Sequence, residues 1–214
     1  GLRIVSDRME GAETAAVAVY VAVGSRNETA AEHGLSHLIE HMAFKGTKSR
    51  DARAIVAEIE EAGGDLNAET ASEHTAYLAR LLPGEVDRAL EIFADILTDS
   101  VFDAAELDRE KNVILQEIAA VEDDPDDLVM ELMDKAAFPD QPLGRPILGT
   151  KKTVKSFDAG LIRAYLGASR IQTERERSFN PFTGFDNLDN PAMGDVRFDD
   201  VRLARRLYAR EFSA

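Results

Sequence analysis

Residues 16–23 read Ala-Val-Ala-Val-Tyr-Val-Ala-Val. In an extended chain the valines at 17, 19, 21 and 23 fall on one side and Ala and Tyr on the other. With both sides apolar, the run predicts a central strand of a sheet, covered on both faces. A covered strand needs helices, and the rest of the chain supplies them. Periodicity predicts helices over residues 33–44, 51–62, 85–98, 104–122 and about 157–166. On 85–98 the stripe is Val86, Leu90, Phe93 and Leu97, and on 104–122 it is Leu107, Ile114, Ile118 and Val121. Asp124-Pro125 opens another helix running to about Phe138, because Asp caps and Pro suits the first helical position. Gly63-Gly64 stops the helix before it. Strands are expected at residues 2–5 and, one or two of them, within 66–82. A last helix is expected over 199–211. Strands and helices mix without strict βαβ alternation, which predicts an α+β layered fold.

The chain has 214 residues, 44% of them apolar, which allows one large domain or two small ones. It has no run of 18 apolar residues, so no membrane-spanning helix is expected, and no secretory leader is read. Cys is absent, which excludes a disulfide scaffold, a Cys nucleophile and a thiolate metal site. The net charge of -15 argues against binding a nucleic-acid backbone and favours a basic or neutral partner. Residues 101–140 alone hold 13 acids against three bases, whereas 169–214 are neutral.

All four histidines lie between positions 33 and 74, and two sit in His37-Leu38-Ile39-Glu40-His41. Residues four apart on a helix lie one above the other, so His37 and His41 can aim two imidazoles at one ion, with Glu40 beside them. Zinc suits such a site, and a catalytic zinc keeps one position open for water and lowers its pKa to about 7. Glu40 can then take a proton from water and pass it to a leaving amine. Imidazole ligates only when neutral, so zinc affinity is expected to fall as pH drops through about 6.5. With no Cys, a third ligand must be His, Asp or Glu. Helix 104–122 offers Glu110 and Glu117, seven apart on one face at the edge of the apolar stripe, and the spacing does not choose between them. His33 reads as a loop residue or helix cap, and His74 as a solvated or packing residue.

HGLSHLIEHMAFKGT (33–47) resembles the inverted zinc-binding motif of the M16 metallopeptidases, the pitrilysin and insulysin group. GLRIVSDRM, VGSRNE, GGDLNAETASEHTAY, REKNVILQEI and LGRPILGT resemble its mitochondrial-processing-peptidase-like branch, in the same order, over residues 1–167. The resemblance implies an N-terminal zinc-binding lobe, layered, with a mostly antiparallel sheet covered by helices. It implies zinc ligands His37 and His41, general base Glu40, and a distal ligand 76 positions beyond the second histidine, which is Glu117. It implies that Glu110 supports the catalytic site. It also implies that Asn67, Ala68 and Glu69 pair with an extended peptide substrate.

On this reading residues 1–168 are the zinc-binding peptidase lobe, 169–193 an atypical polar segment without strand or helix period, and 194–214 a closing turn and helix, GDVRFDDVRLARRLY. Family members have two similar lobes, so the expected partners are peptides, basic ones included, and a second lobe or subunit, homo- or heteromeric. The other functional reading is a non-catalytic scaffold subunit; retention of His37, Glu40, His41 and Glu117 favours the endopeptidase. The bacterial cytoplasm is the expected compartment, with the mitochondrial matrix second.

Overall fold

A computed structural model describes residues 4–176. Among these residues three strands form one antiparallel sheet: β1 (Ala15–Val21), β2 (Asp65–Thr70) and β3 (Thr75–Leu81), in the order β1-β3-β2. Ala15 pairs with Leu81 and Val21 with Thr75 across one side of β3, and Asp65 pairs with Arg80 and Thr70 with Thr75 across the other. The helices are α1 (Leu35–Ala43), α2 (Ala52–Glu61), α3 (Val86–Thr98), α4 (Ala104–Asp123), α5 (Pro125–Ala137), α6 (Lys151–Ser156) and α7 (Ala159–Glu176). The fold is therefore α+β with an antiparallel sheet, as the sequence and the resemblance led us to expect. Among the described residues no helix is long and apolar enough to cross a membrane.

The apolar run at 16–23 is a strand, but not the central one among the described residues. Within the described sheet β1 lies at an edge, and the strand covered along nearly its whole length is β3. Val17, Val19 and Val21 face the core, whereas Ala16, Ala18 and Tyr20 are exposed, Tyr20 by 62%. Small side chains made the second face read as apolar without its being buried. The strand expected at 2–5 lies partly outside the described residues, and Ile4 and Val5 are not in a strand.

Two apolar clusters hold the lobe together. One lies between the inner sheet face and α2 and α3: Ile55, Ile59, Tyr77, Ala79, Leu81, Ile92, Phe93 and Ile96. On α3 the buried surface is broader than the expected stripe; Ala89, Ile92 and Ile96 are buried, while Leu90 and Leu97 are only partly so. The other joins α1, α4, α6 and α7 through Leu35, Leu38, Met42, Leu107, Ile114, Ile118, Val154, Phe157, Ile162 and Tyr165. Helix α1 enters both, since Ala43 belongs to the first cluster and Leu35, Leu38 and Met42 to the second.

Caps set the helix limits. Asp51, Asp103 and Asp124 accept backbone N–H bonds at the starts of α2, α4 and α5. Gly63 takes φ +71 after α2, the left-handed stop its position implied. The helix expected at 157–166 is α7, which begins as Asp158 accepts the Leu161 amide; the short α6 before it, capped by Thr150, is not among the expected helices. Helix α7 runs to Glu176, so the first residues of the 169–193 segment are helical. The remainder of that segment and the turn and helix expected at 194–214 lie outside the described residues.

Candidate metal centre

Helix α1 is held at both ends, and this fixes where its polar face points. At its start the buried Glu28 carboxylate accepts N–H bonds from Gly34 (2.8 Å) and Ser36 (2.7 Å), satisfying amides the helix leaves open. Gly34, at φ +95, lies against the backbone of Leu148 and Gly149; a Cβ there would come within 2.6 Å of the Leu148 carbonyl. The His33 Nε2–H donates to the Pro146 carbonyl at 2.6 Å, and Arg145 donates to the Glu28 carbonyl at 3.0 Å. The segment around 145–149 is thus a clamp on the start of α1. At the other end Asp95 of α3 accepts from Thr47 (2.7 Å), Ser49 (2.6 Å) and Arg50 (2.8 Å), pinning the turn that follows α1.

Burial pushes Glu28 from the ordinary 4.5 up to about 7, although both amide bonds pull it down. Below pH 4.5 the carboxyl is protonated in folded and unfolded chains alike. As pH rises from 4.5 through about 7 the unfolded chain gives up that proton first, so stability is lost over this window. The loss is roughly 3 kcal/mol at about 1.4 kcal/mol per pH unit. Urea unfolding of wild type and Glu28→Gln at pH 5 and pH 8 should show the variant lacking this decline; equal declines would contradict it.

With α1 so held, its core residues Leu35, Leu38 and Met42 turn the next face toward α4. There His37 and His41 stand one turn apart, ring centroids 4.6 Å apart and nearly edge to face. One ligand atom from each of His37, His41 and Glu117 lies within 4.8 Å of the other two. Glu117 Oε2 is 3.8 Å from His37 Nε2 and 3.7 Å from His41 Nε2. These gaps exceed hydrogen-bond length, and Glu117 Oε2 is buried with no hydrogen-bond partner among the described residues. An anionic oxygen without a donor, facing two imidazole nitrogens, is what a cation would satisfy. Ligands about 2.1 Å from a tetrahedral zinc sit roughly 3.4 Å apart, so small side-chain rotations suffice to close on one.

The two candidate glutamates of α4, Glu110 and Glu117, do different things. Glu110 is the more buried and accepts from His41 Nδ1–H at 2.9 Å through Oε2, while its Oε1 receives Lys45 Nζ at 2.8 Å. Burial would raise its pKa, but the bonds from Lys45 and His41 outweigh this and hold it below the ordinary value. Glu40 is half-buried and accepts from Thr70 Oγ1 at 2.5 Å. Desolvation raises its pKa despite that bond, the direction that favours proton uptake. Burial, then the neighbouring His41, pushes His37 down to about 4. The His37 imidazole therefore stays a competent ligand well below the pH 6.5 expected from the free side chain. Its Nδ1 is buried without a partner among the described residues.

Asn67, Ala68 and Glu69 lie on β2, the strand at the other edge of the described sheet. Asn67 and Glu69 are exposed; Ala68 points inward with Thr70, and its N–H is taken by Asn67 Oδ1 at 2.9 Å. His74 lies 5.4 Å from the Tyr20 ring and 3.9 Å from Glu69, away from the imidazole pair. Three groups escaped the sequence reading: Glu28, Lys45 and Thr70. Lys45 follows His41 by four and Thr70 alternates with Ala68, spacings that would have flagged both.

A family profile described as Insulinase (Peptidase family M16) matches residues 3–151. A Rickettsia felis protein named an uncharacterized zinc protease is 47% identical over 157 residues, 73% of this chain and 38% of that protein. The uncharacterized zinc protease YmxG of Bacillus subtilis is 42% identical over 166 residues, 78% of this chain and 41% of its own. The mitochondrial-processing peptidase subunit beta of Saccharomyces cerevisiae is 39% identical over 166 residues, 78% of this chain and 36% of its own. Among solved structures, a protease from Helicobacter pylori superposes with TM-score 0.69 at 24% identity, covering 72% of this chain and 38% of that one; this is a likeness of fold. The chain spans about two fifths of the length of these curated relatives. Because the match runs over residues 3–151, most of the chain, and takes in both α1 and α4 with the candidate ligands on them, the chain belongs to the M16 (insulinase) peptidase family.

Proposed function

We infer that the chain is the zinc-binding lobe of an M16-type endopeptidase, with His37, His41 and Glu117 holding one zinc. The observation that supports this most is the unpartnered Glu117 oxygen facing the two imidazoles. When bound, zinc supplies a Lewis acid that makes water a nucleophile at neutral pH. Glu40 receives the proton of the attacking water and returns it to the leaving amine, which has to accept one as the peptide bond breaks. Thr70 fixes one oxygen of Glu40 and leaves the other for that exchange. An extended peptide adds along β2 at Asn67, Ala68 and Glu69, where backbone pairing reads shape rather than sequence. Asn67 Oδ1 gives up the Ala68 amide when it does.

The substrate chamber is completed by a second M16-type lobe or subunit, so this chain alone has weak activity or none. Its compartment on this reading is the bacterial cytoplasm, with the mitochondrial matrix second; its relatives include bacterial proteins and one named a mitochondrial-processing peptidase subunit. Ten of the 13 acids of residues 101–140 lie on α4, which carries Glu117, or on α5 after it; their field captures basic peptides faster. The test is zinc per chain, then cleavage of two equal-length peptides flanked by Arg or by Glu, at low and high salt, with a second lobe supplied. One zinc and metal-dependent cleavage are expected, with the Arg peptide faster at low salt and the advantage fading as salt rises. A chain that takes up no zinc, or a loaded one that cleaves neither peptide, overturns the proposal; equal rates at low salt remove the steering alone.

A further inference from the structure

Glu110 stands between two cationic or proton-bearing groups of α1 and the turn after it, and neither of its oxygens is free. Oε2 takes the His41 Nδ1–H and Oε1 takes Lys45 Nζ, at 2.9 and 2.8 Å. The Glu110 side chain is only 9% exposed, so water does little to hold it in place. Lys45 lies just past the end of α1, its amide still bonded to the Met42 carbonyl at 3.2 Å. The turn that carries it is pinned to α3 through Asp95, so the ammonium reaches Glu110 from an anchored backbone.

We propose that Lys45 is a positioning residue of the metal centre: by engaging Oε1 of Glu110 it orients Oε2 on His41 Nδ1, and so turns the His41 Nε2 lone pair toward Glu117 and His37. A carboxylate only accepts, so the ring nitrogen facing it carries the hydrogen and the opposite nitrogen is left to ligate. Partners behind a metal-bound imidazole set its tautomer and ring angle, and losing one costs metal affinity. A bare charge effect has the opposite sign. A cation this close repels a divalent ion, so on that account removing Lys45 would tighten zinc binding. On the positioning account Glu110 loses its second anchor, the imidazole loosens, and zinc binding weakens.

This inference rests on the zinc reading above, and the measurement is zinc affinity of the chain itself, by competition with a chelator, without any peptide. Lys45→Met should weaken zinc by 10- to 100-fold, and so should Glu110→Gln. Because Lys45 acts through Glu110, the double variant should be no weaker than the worse single one, a non-additivity that two independent structural lesions would not show. If Lys45→Met does not fold, Lys45→Gln carries the same expectation. Zinc binding within twofold of wild type, tighter binding, or losses that multiply in the double variant would each overturn the role of Lys45. A wild-type chain that binds no zinc would instead sink the metal reading on which it stands.

Discussion

Glu40→Gln, loaded with zinc and supplied with a second lobe, is expected to keep its metal and lose peptide hydrolysis by about 10²- to 10⁴-fold. Glu40 is outside the group of three whose ligand atoms converge, so an amide there leaves the zinc donors untouched. The amide oxygen can still accept the Thr70 hydroxyl, so the side chain keeps its place. What disappears is the capacity to take a proton, which in Glu40 is favoured by desolvation. Metal content and turnover measured on the same preparation separate the two effects. Turnover within tenfold of wild type, at one zinc per chain, would remove Glu40 from the base role.

Glu117→Gln should produce the largest fall in zinc affinity, on the order of a thousandfold or about 4 kcal/mol, and Glu110→Gln a smaller one, about 10- to 100-fold. Glu117 would supply the one anionic ligand, and an amide oxygen in its place keeps a lone pair but loses the charge that draws a divalent ion out of water. Glu110 is already bonded to His41 and Lys45, so its change acts through the orientation of one imidazole. Equilibrium dialysis against zinc at fixed pH ranks the two. If Glu110→Gln strips the metal and Glu117→Gln leaves it, the roles of the two glutamates are reversed.

Local signals read well along this chain. Asp124 marks a helix start and Gly63 a stop because capping is settled within three residues; Asp51 and Asp103, not read as caps, carry the same local signal. Helix α6 was missed because six residues hold too little periodicity; its signal was the Thr150–Thr153 capping pair. The error at β1 has another origin. A run of Ala and Val states which side chains are apolar, whereas burial depends on which elements come to lie against them, and the outer face of β1 is open.

The same division runs through the candidate metal centre. The i, i+4 spacing of His37 and His41 by itself dictated that the two rings share a face, because helix geometry needs no tertiary partner. The seven-residue spacing of Glu110 and Glu117 likewise put both on one face of α4, and for that reason could not tell them apart. Only the packing of α1 against α4 decided that Glu110 meets the outer nitrogen of His41 while Glu117 faces the inner nitrogens of both rings. Lys45, Thr70 and Glu28 belong to this second kind. Their partners lie 65, 30 and six to eight residues away in the chain, brought within hydrogen-bond reach by two apolar clusters that meet on α1. Those contacts are set by how helices and sheet stack; local spacing puts Lys45 and Thr70 on the right faces but carries no record of the groups they meet.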